Sequence, residues 1–167
     1  ARLDGIEARH CHEGQAWEWD GVSFRFLNPE DPALRGNDAS CVLQVRTGAA
    51  SLLLTGDIGA AVERRLVSRF GEALRATVVQ VPHHGSKTSS DARFVAATQP
   101  PLALLSTGYR NRFGFPKPEV VARWRHAGAT VLDTREAGAV TLELGPTGLV
   151  GTPRLARAER RRYWQQR

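Results

Sequence analysis

Two adjacent histidines after a strand-like run suggest a metal or phosphodiester site near the middle of the chain. The segment VVQVPHHGSKTSS begins at residue 78, and Pro82 separates its apolar run from His83 and His84. Imidazole nitrogens are common ligands of Zn²⁺, and Ser86 and Lys87 after the glycine are suited to contact a phosphate. The alternative interpretation is a solvated polar turn, with Lys87 in an exposed loop.

A carboxylate follows another apolar run, because LLLTGD ends at Asp57. Carboxylate and imidazole together are suitable ligands for Zn²⁺ or Mn²⁺, and one carboxylate can bridge two metal ions in phosphodiester hydrolysis. The alternative is that Asp57 only caps a helix predicted to begin at residue 59.

The predicted elements bring these residues together. Alternating strands and helices after residue 51 predict right-handed crossovers and parallel strands. Two predicted hairpins, around Asp20-Gly21 and around Gly48, precede this unit and make the sheet mixed. We therefore predict an α/β fold with a mixed β-sheet and covering helices. The predicted strands are 51–56, 77–81, 102–107, 129–134 and 139–144, and the predicted helices are 59–70, 90–98 and 119–127.

Side chains just beyond the carboxyl ends of neighbouring parallel strands gather at one edge of a sheet, where α/β folds bind ligands. Asp57, His83 and His84 are therefore expected to be neighbours. The further residues expected at this edge are Ser86, Lys87, Ser106, Thr107, Tyr109 and Asn111. Arg110 and Arg112 flank Asn111 and are candidates for contacts with a DNA backbone.

The helices have recognisable ends and faces. Val62, Leu66 and Phe70 share one face of the first helix, which Gly71 can terminate. Ser89 or Ser90 is the predicted cap of the second helix. In the third helix, which Pro118 opens, we expect Val120, Val121 and Trp124 to face inward.

Length and composition indicate one globular domain. The chain has 167 residues, of which 41% are hydrophobic and 24% charged. No apolar run approaches the roughly 20 residues that a membrane-spanning helix needs. The sequence contains no Met and shows no signal-peptide pattern, so we expect it to be a piece of a longer protein.

The net charge of +6 lies mainly at the C-terminus, since residues 152–167 contain six Arg and one Glu. We predict a domain over 1–151 and a basic tail over 152–167. The tail, with Tyr163 and Trp164, is either a DNA-contacting segment or a solvated terminus.

The two cysteines, Cys11 and Cys41, do not form a CxxC motif, which argues against structural zinc. They form either a disulfide, which the polar surroundings of Cys11 slightly favour, or two reduced thiols. His10 and His12 flank Cys11, but an exposed loop is the favoured interpretation of this trio.

Taken together, the segments SCVLQVRTG, LLLTGDI, VVQVPHHGSKTSS, STGYRNRFGFPKPEVV and GAVTLEL resemble a known family. From about Gln15 to Leu144 the chain is similar to the C-terminal metallo-β-lactamase-like domain of ComEC, the inner-membrane DNA-uptake channel of natural competence. The resemblance implies half of an αββα sandwich, part of a nuclease-like domain proposed to degrade the strand that is not imported. It also implies an inner-membrane parent protein with this domain on the periplasmic face.

The resemblance also implies roles for individual residues. Asp57 corresponds to a carboxylate that bridges two metal ions, Zn or Mn, and His83 to a ligand of one of them. His84 is the second-ranked ligand or a supporting neighbour. Asn37 lies roughly where many members of the superfamily have a further ligand histidine, but ComEC-like sequences commonly have Asn there, so it is not counted as a ligand.

Three departures from the family pattern bear on activity. The HxHxDH motif of the superfamily is absent, which is why the chain resembles the second half of the domain. Phe115 and Lys117 stand where the family loop commonly has histidines. Two protein ligands are fewer than the three or four that hold a catalytic metal firmly. We therefore expect this chain alone to bind metal weakly or not at all and not to hydrolyse DNA.

The leading functional hypothesis is part of a metal-dependent, DNase-like hydrolase domain in which Asp57 and His83 are catalytic. The alternatives are a non-catalytic DNA-handling or scaffolding module and a hydrolase of another phosphoester or of a lactone. The expected partners are DNA, through Lys87, Arg110, Asn111 and Arg112, and the membrane channel of the parent protein. Self-association through an exposed sheet face is a further expectation.

Overall fold

Alternating apolar residues and tight turns form two β-hairpins at the start of the fold. A computed structural model of the chain describes residues 10–31 and 33–160. Asp20 and Gly21 have positive φ angles and form the first turn, as predicted. The four strands pair antiparallel in chain order. They are β1 (Ala16–Trp19), β2 (Val22–Asn28), β3 (Val42–Thr47) and β4 (Ala50–Leu54).

Three crossovers then extend the sheet with parallel strands, which confirms the predicted α/β class. Three further strands pair parallel, the first of them with β4, and all seven strands lie in chain order in the sheet. The elements are α1 (Ala60–Phe70), β5 (Val78–Gln80), α2 (Ala92–Thr98), β6 (Leu102–Leu105), α3 (Pro118–His126) and β7 (Thr130–Asp133). Each parallel strand therefore ends at the same edge of the sheet.

The helices α1, α2 and α3 cover one face of the sheet. Val62 and Leu66 of α1 and Val120 and Trp124 of α3 are buried in one core, as the helical periodicity predicts. The predicted caps Ser89 and Ser90 are wrong, because Asp91 takes that position. Its carboxylate accepts the Arg93 backbone N–H at 2.9 Å, which leaves the two serines for other contacts.

The opposite face of the sheet is apolar and partly exposed. Leu54 and Trp17 on this side are 37% and 41% exposed, whereas Val78 and Leu102 are buried. The cross-strand register aligns one apolar row from β2 to β6, which consists of Phe24, Val45, Leu52, Val78 and Leu102. This is the face for which self-association was predicted, and that prediction is untested.

The end of the described chain folds back onto the domain. The single strand predicted over 139–144 is wrong, because its two ends pair with different segments: Val140–Thr141 with Arg154–Leu155, and Leu144–Gly145 with Gly148–Leu149. Residues 154–159 of the predicted tail thus have regular structure, whereas Tyr163 and Trp164 lie outside the described residues. The elements are α4 (Thr134–Ala137), β8 (Val140–Thr141), β9 (Leu144–Gly145), β10 (Gly148–Leu149), β11 (Arg154–Leu155) and α5 (Ala156–Glu159).

A disulfide links the segment before β1 to the start of β3. Cys11 and Cys41 are bonded, with their Cα atoms 6.0 Å apart, which confirms the favoured alternative for these cysteines. Within residues 10–31 and 33–160, no helix combines the length and apolar character needed to cross a lipid bilayer.

Candidate metal centre

The ends of three parallel strands bring Asp57, His84 and Ser106 together. Asp57 follows β4, His84 follows β5, and Ser106 follows β6. His84 Nε2 lies 3.3 Å from Asp57 Oδ1, and His84 Nδ1 lies 2.6 Å from the Ser106 carbonyl oxygen. The side chains of Asp57 and His84 are each 42% exposed, so solvent reaches the pair.

The hydrogen bond to Ser106 determines which ring nitrogen of His84 carries a proton. A carbonyl oxygen can only accept, so Nδ1 must donate. In the neutral ring Nε2 is then an acceptor, and it faces a carboxylate oxygen that is also an acceptor. A cation between the two, either a proton on Nε2 or a metal ion, satisfies both atoms. A histidine whose other N–H is held by a backbone carbonyl is typical of metal ligands.

An unusual backbone conformation orients both histidines. Residues Pro82–Gly85 form a tight turn in which His83 and His84 have left-handed backbone conformations, with φ angles of 48° and 55°. Their side chains therefore point in directions that a continuing strand would not give them. The turn is attached to the end of β4, because the His83 N–H donates to the Gly56 carbonyl at 3.0 Å.

Gly85 closes this turn at a position where no other residue fits without displacement. Its φ is +76°, and a Cβ atom there would lie 2.8 Å from Pro116 Cβ and 3.0 Å from Leu105 Cδ2. Lys117 donates its backbone N–H to the Gly85 carbonyl at 2.9 Å. The histidine turn is thus fixed against the loop that precedes α3.

His83 contacts a different set of side chains from His84. Its Nε2 lies 3.3 Å from Asn37 Nδ2, and its Nδ1 lies 3.4 Å from Thr88 Oγ1. The Phe115 ring stands edge-on to the imidazole, with centroids 5.9 Å apart. Of the two histidines expected beside Asp57, His84 makes the contact with its carboxylate. The metal-binding role of either histidine remains a prediction.

Asn37 belongs to this site, although the sequence reasoning did not count it. The Asn28 amide nitrogen donates to the carbonyls of Asp38 and Ser40, at 2.9 and 2.7 Å, and so holds the loop that carries Asn37. The position of Asn37 in the family pattern was the available signal. Its hydrogen bond to His83 is a contact that only the fold reveals.

Asp57 is not a helix cap. The N-terminal cap of α1 is Gly59, and no side chain forms a capping hydrogen bond there. The backbone N–H of Asp57 donates to Ser40 Oγ at 3.1 Å, which fixes its main chain. The carboxylate is therefore free to face His84, and the capping alternative is wrong.

A buried glutamate, Glu63 of α1, holds the end of the loop over 83–91 that lies farther from the histidines. Its two carboxylate oxygens accept the backbone N–H groups of Ser90 and Asp91, at 2.6 and 2.5 Å. Burial raises the pKa of Glu63 to about 7, although these N–H groups and the Arg123 guanidinium favour the charged form. Its place three residues before Leu66, on the apolar face of α1, was the sequence signal for its burial.

Ser90 connects this carboxylate to α3. The Trp124 indole N–H donates to Ser90 Oγ at 3.0 Å, and the Arg123 guanidinium donates to the Ser90 carbonyl at 2.5 Å. The backbone N–H, the carbonyl and the hydroxyl oxygen of Ser90 thus each take part in a hydrogen bond within the fold. The segment from His83 to Asp91 is consequently anchored at both of its ends.

The other predicted DNA-contacting residues lie around the same edge. Lys87 Nζ is 3.5 Å from Glu119 Oε1, and both side chains are exposed. Arg110 and Arg112 lie over the rings of Tyr109 and Phe113. The Asn111 side chain binds the backbone of its own loop at Phe115, which gives it a positioning role. DNA contact by these residues remains a prediction.

The donors at this site are fewer than a complete metal centre needs. Among the residues that the structure describes, no group of three or more His, Cys, Asp or Glu side chains is arranged to hold a metal ion. The pair formed by Asp57 and His84 supplies two donors of suitable chemical type. A firmly held catalytic metal ion requires at least one further protein ligand.

Comparison with known proteins finds relatives that are 33–41% identical to this chain, among them a competence protein. Competence protein ComA of Neisseria gonorrhoeae is 41% identical over 165 residues, which are 96% of this chain and 23% of that protein. Recombination protein 2 of Haemophilus influenzae is 36% identical, over 78% of this chain and 16% of that protein. ComE operon protein 3 of Bacillus subtilis is 33% identical, over 84% of this chain and 18% of that protein.

No protein-family model matches the chain. The similarity nevertheless extends over most of its length in each of the three relatives, and it includes the strands and loops that form the candidate site. In each case the chain spans less than a quarter of the relative. The chain is therefore related to the ComEC-type competence proteins and corresponds to a segment of them.

Proposed function

We propose that this chain is part of a DNA-uptake protein and contributes one side of a metal-dependent phosphodiesterase site. The observation that carries the proposal is the contact between Asp57 and His84 at the carboxyl edge of parallel strands. The Nε2 atom of His84 faces a carboxylate oxygen at 3.3 Å, while Nδ1 is held by a backbone carbonyl. This arrangement favours a bound cation.

The donor set fits Zn²⁺ or Mn²⁺ in type, because both ions accept imidazole and carboxylate ligands. Asp57 and His84 would hold the ion, with His83 as a further candidate once Asn37 moves from its Nε2 atom. We propose that the remaining ligands come from outside these 167 residues. A divalent cation there would act as a Lewis acid and polarise a phosphodiester oxygen.

The residues of this chain have distinct tasks in the proposed reaction. Ser106 keeps the His84 ring oriented through its carbonyl. Gly85 lets the turn that carries the histidines pack against Pro116, and Glu63 holds the backbone at Ser90 and Asp91. Lys87, Arg110 and Arg112 carry exposed positive charge beside the site and would attract the phosphates of DNA. The proposed location is the periplasmic face of the inner membrane, beside the channel of the parent protein.

A second candidate function is DNA handling without hydrolysis. Phe115 stands where the family loop commonly has a histidine, and its ring packs against His83 and Phe113. Lys117, at the other such position, donates from Nζ to the Phe113 carbonyl at 3.0 Å. Both side chains thus stabilise the loop, and neither supplies the imidazole that would move a proton.

The test is Mn²⁺-dependent cleavage of labelled DNA by the complete protein that contains this sequence. Asp57→Ala and His84→Ala should each reduce cleavage at least a hundredfold, since each removes a metal ligand. His126→Ala is the matched control, because His126 is an exposed histidine at the end of α3 whose ring nitrogen Nδ1 bonds its own helix at the Ala122 carbonyl. His83→Ala shows whether the neighbouring imidazole is also a ligand.

Two results would reject this proposal. Cleavage that is unchanged in Asp57→Ala and His84→Ala would remove the site assignment. DNA binding by the complete protein without any metal-dependent cleavage would favour the non-catalytic alternative. Cleavage of a lactone or of another phosphoester in preference to DNA would retain the site and change the substrate.

A further inference from the structure

The loop between β6 and α3 exposes two aromatic rings in a strongly basic setting. Residues 108–117 read GYRNRFGFPK, with three cationic and no acidic side chains. Tyr109 and Phe113 are each 59% exposed. Single exposed apolar residues are ordinary on protein surfaces, but two such rings on one short loop form a ready contact surface.

Arginine guanidinium groups lie over the rings of both Tyr109 and Phe113. Arg110 Cζ lies 5.2 Å from the Tyr109 ring centroid, and Arg112 Cζ lies 4.9 Å from that of Phe113. Arg157, from α5, lies 5.8 Å from the Tyr109 ring. Aromatic rings and guanidinium planes both stack on nucleobases, and the same cations attract phosphates.

Hydrogen bonds within the loop hold its shape. The Asn111 amide nitrogen donates to the Phe115 carbonyl at 2.7 Å, and the Phe115 N–H donates to the Asn111 amide oxygen at 2.9 Å. Lys117 Nζ also donates a hydrogen bond to the Phe113 carbonyl. Because the loop is already ordered, a ligand bound to its rings loses little affinity to ordering.

A row of rings connects this loop to the candidate metal centre. Phe113 stacks on Phe115 at 5.7 Å, and Phe115 is edge-on to His83. A nucleotide held at Phe113 would thus be separated from His83 by one ring, that of Phe115. Bases inside a duplex are already stacked on one another, so a platform of this kind selects unpaired strands.

We propose that Tyr109 and Phe113 form a base-stacking subsite for single-stranded DNA, with Arg110, Arg112 and Arg157 contacting its phosphates. The inference rests on the proposed function in taking DNA as the ligand. It adds the strandedness of that DNA and two residues that make no contribution to metal binding.

The test is fluorescence anisotropy with the 167-residue chain in the presence of EDTA, so that hydrolysis has no influence. The probes are a labelled single-stranded thymidine oligonucleotide, the matched duplex, and an abasic strand of equal length. Tyr109→Ala and Phe113→Ala should each weaken binding of the single strand by about fivefold or more. Their effect on the abasic strand and on the duplex should be less than twofold.

Two further variants make the comparison specific. Trp19→Ala removes a ring that is 68% exposed on β1, at the other edge of the sheet, and should leave binding unchanged. Tyr109→Phe keeps the ring and should retain the affinity. Because the substituted side chains are exposed, we expect all of these variants to fold.

The inference is overturned if the two alanine variants bind the single strand as the unchanged chain does, or if the abasic strand binds equally well. It is also overturned if these variants lose binding to anionic lipid vesicles while their affinity for the oligonucleotide is unchanged, since the rings would then serve a membrane surface. Stacking that fails while Asp57-dependent cleavage is observed rejects this inference alone. Cleavage that fails while stacking is observed rejects only the proposed hydrolysis.

Discussion

Two carboxylates, those of Asp57 and Glu63, contact opposite ends of the loop over 83–91, and one is exposed while the other is buried. Asp57, after β4, is 42% exposed and faces one imidazole at 3.3 Å. Glu63, in α1, is fully buried and accepts two backbone N–H groups at the other end of the loop. The buried carboxylate has its hydrogen bonds completed by the fold. The exposed one faces His84 Nε2, and either a proton on that nitrogen or a metal ion between the two atoms satisfies both.

This difference separates a positioning role from a ligand-binding role. Buried polar groups that lose their partners are costly, so the fold depends on Glu63. An exposed pair contributes little to stability, so the stability of the fold does not depend on the contact between Asp57 and His84. The comparison predicts large effects on stability at the buried end of the loop and small ones at the exposed end.

The largest effect on stability is expected for Glu63→Ala. The substitution leaves the N–H groups of Ser90 and Asp91 without an acceptor and creates a cavity, which should lower the free energy of unfolding by about 3 kcal/mol. Urea denaturation measures this loss. Glu72→Ala, at an exposed glutamate just after α1, should change stability by less than about 0.5 kcal/mol, and an equal loss in both variants would contradict the comparison.

The pH dependence of stability is expected to follow Glu63. Because burial raises its pKa from 4.5 to about 7, the native state holds this proton more tightly than the unfolded chain does. Its contribution is therefore fully present below about pH 4.5 and is lost as the pH rises to about 7, by roughly 2–3 kcal/mol.

Glu63→Gln should remove this fall in stability, as measured by urea denaturation at several pH values. The Asp91 carboxylate and the Arg123 guanidinium face Glu63 and act in opposite directions on its pKa. A fall of the same size in Glu63→Gln would assign the titration to another group.

Gly85→Ala should lower the free energy of unfolding by a smaller amount, about 2 kcal/mol. The added Cβ meets the Pro116 ring, and the backbone at this position has a positive φ. Gly128→Ala isolates the backbone effect, because Gly128 has a φ of +90° and no atom within 4 Å of an added Cβ. Thermal denaturation should show the larger loss for Gly85→Ala. Equal losses would mean that the contact with Pro116 does not hold the turn.

The smallest effect on stability is expected for Asp57→Asn and His84→Gln. Their contact is exposed, and such pairs contribute under about 1 kcal/mol. Urea denaturation should therefore show nearly unchanged stability in both variants. A loss as large as that of Glu63→Ala would make the exposed pair part of the structural framework.

The sequence predicted the framework of the site well, because hydrophobic periodicity determines it. The strand and helix pattern places Asp57, His84 and Ser106 at adjacent strand ends, as their neighbouring apolar runs indicate. The buried faces of α1 and α3 were also predicted, since Val62 and Trp124 repeat at helical spacing.

The details of the site depended on contacts that no local pattern records. Two consecutive residues with positive φ decide that His84, and not His83, meets Asp57. The burial of Glu63 follows from two N–H donors on a distant segment, so its sequence neighbourhood gives only a weak signal. The break in the strand predicted over 139–144 likewise follows from pairing with residues farther along the chain.

Mn²⁺ titration of the isotopically labelled 167-residue chain, followed by NMR, tests the central claim most directly. Paramagnetic broadening detects even weak binding and locates it. We predict saturable broadening that is strongest at Asp57 and His84, is lost in Asp57→Ala and is retained in Trp19→Ala. Broadening that survives in Asp57→Ala, or that is strongest at Glu63, would contradict the assignment of this pair as a metal-binding site.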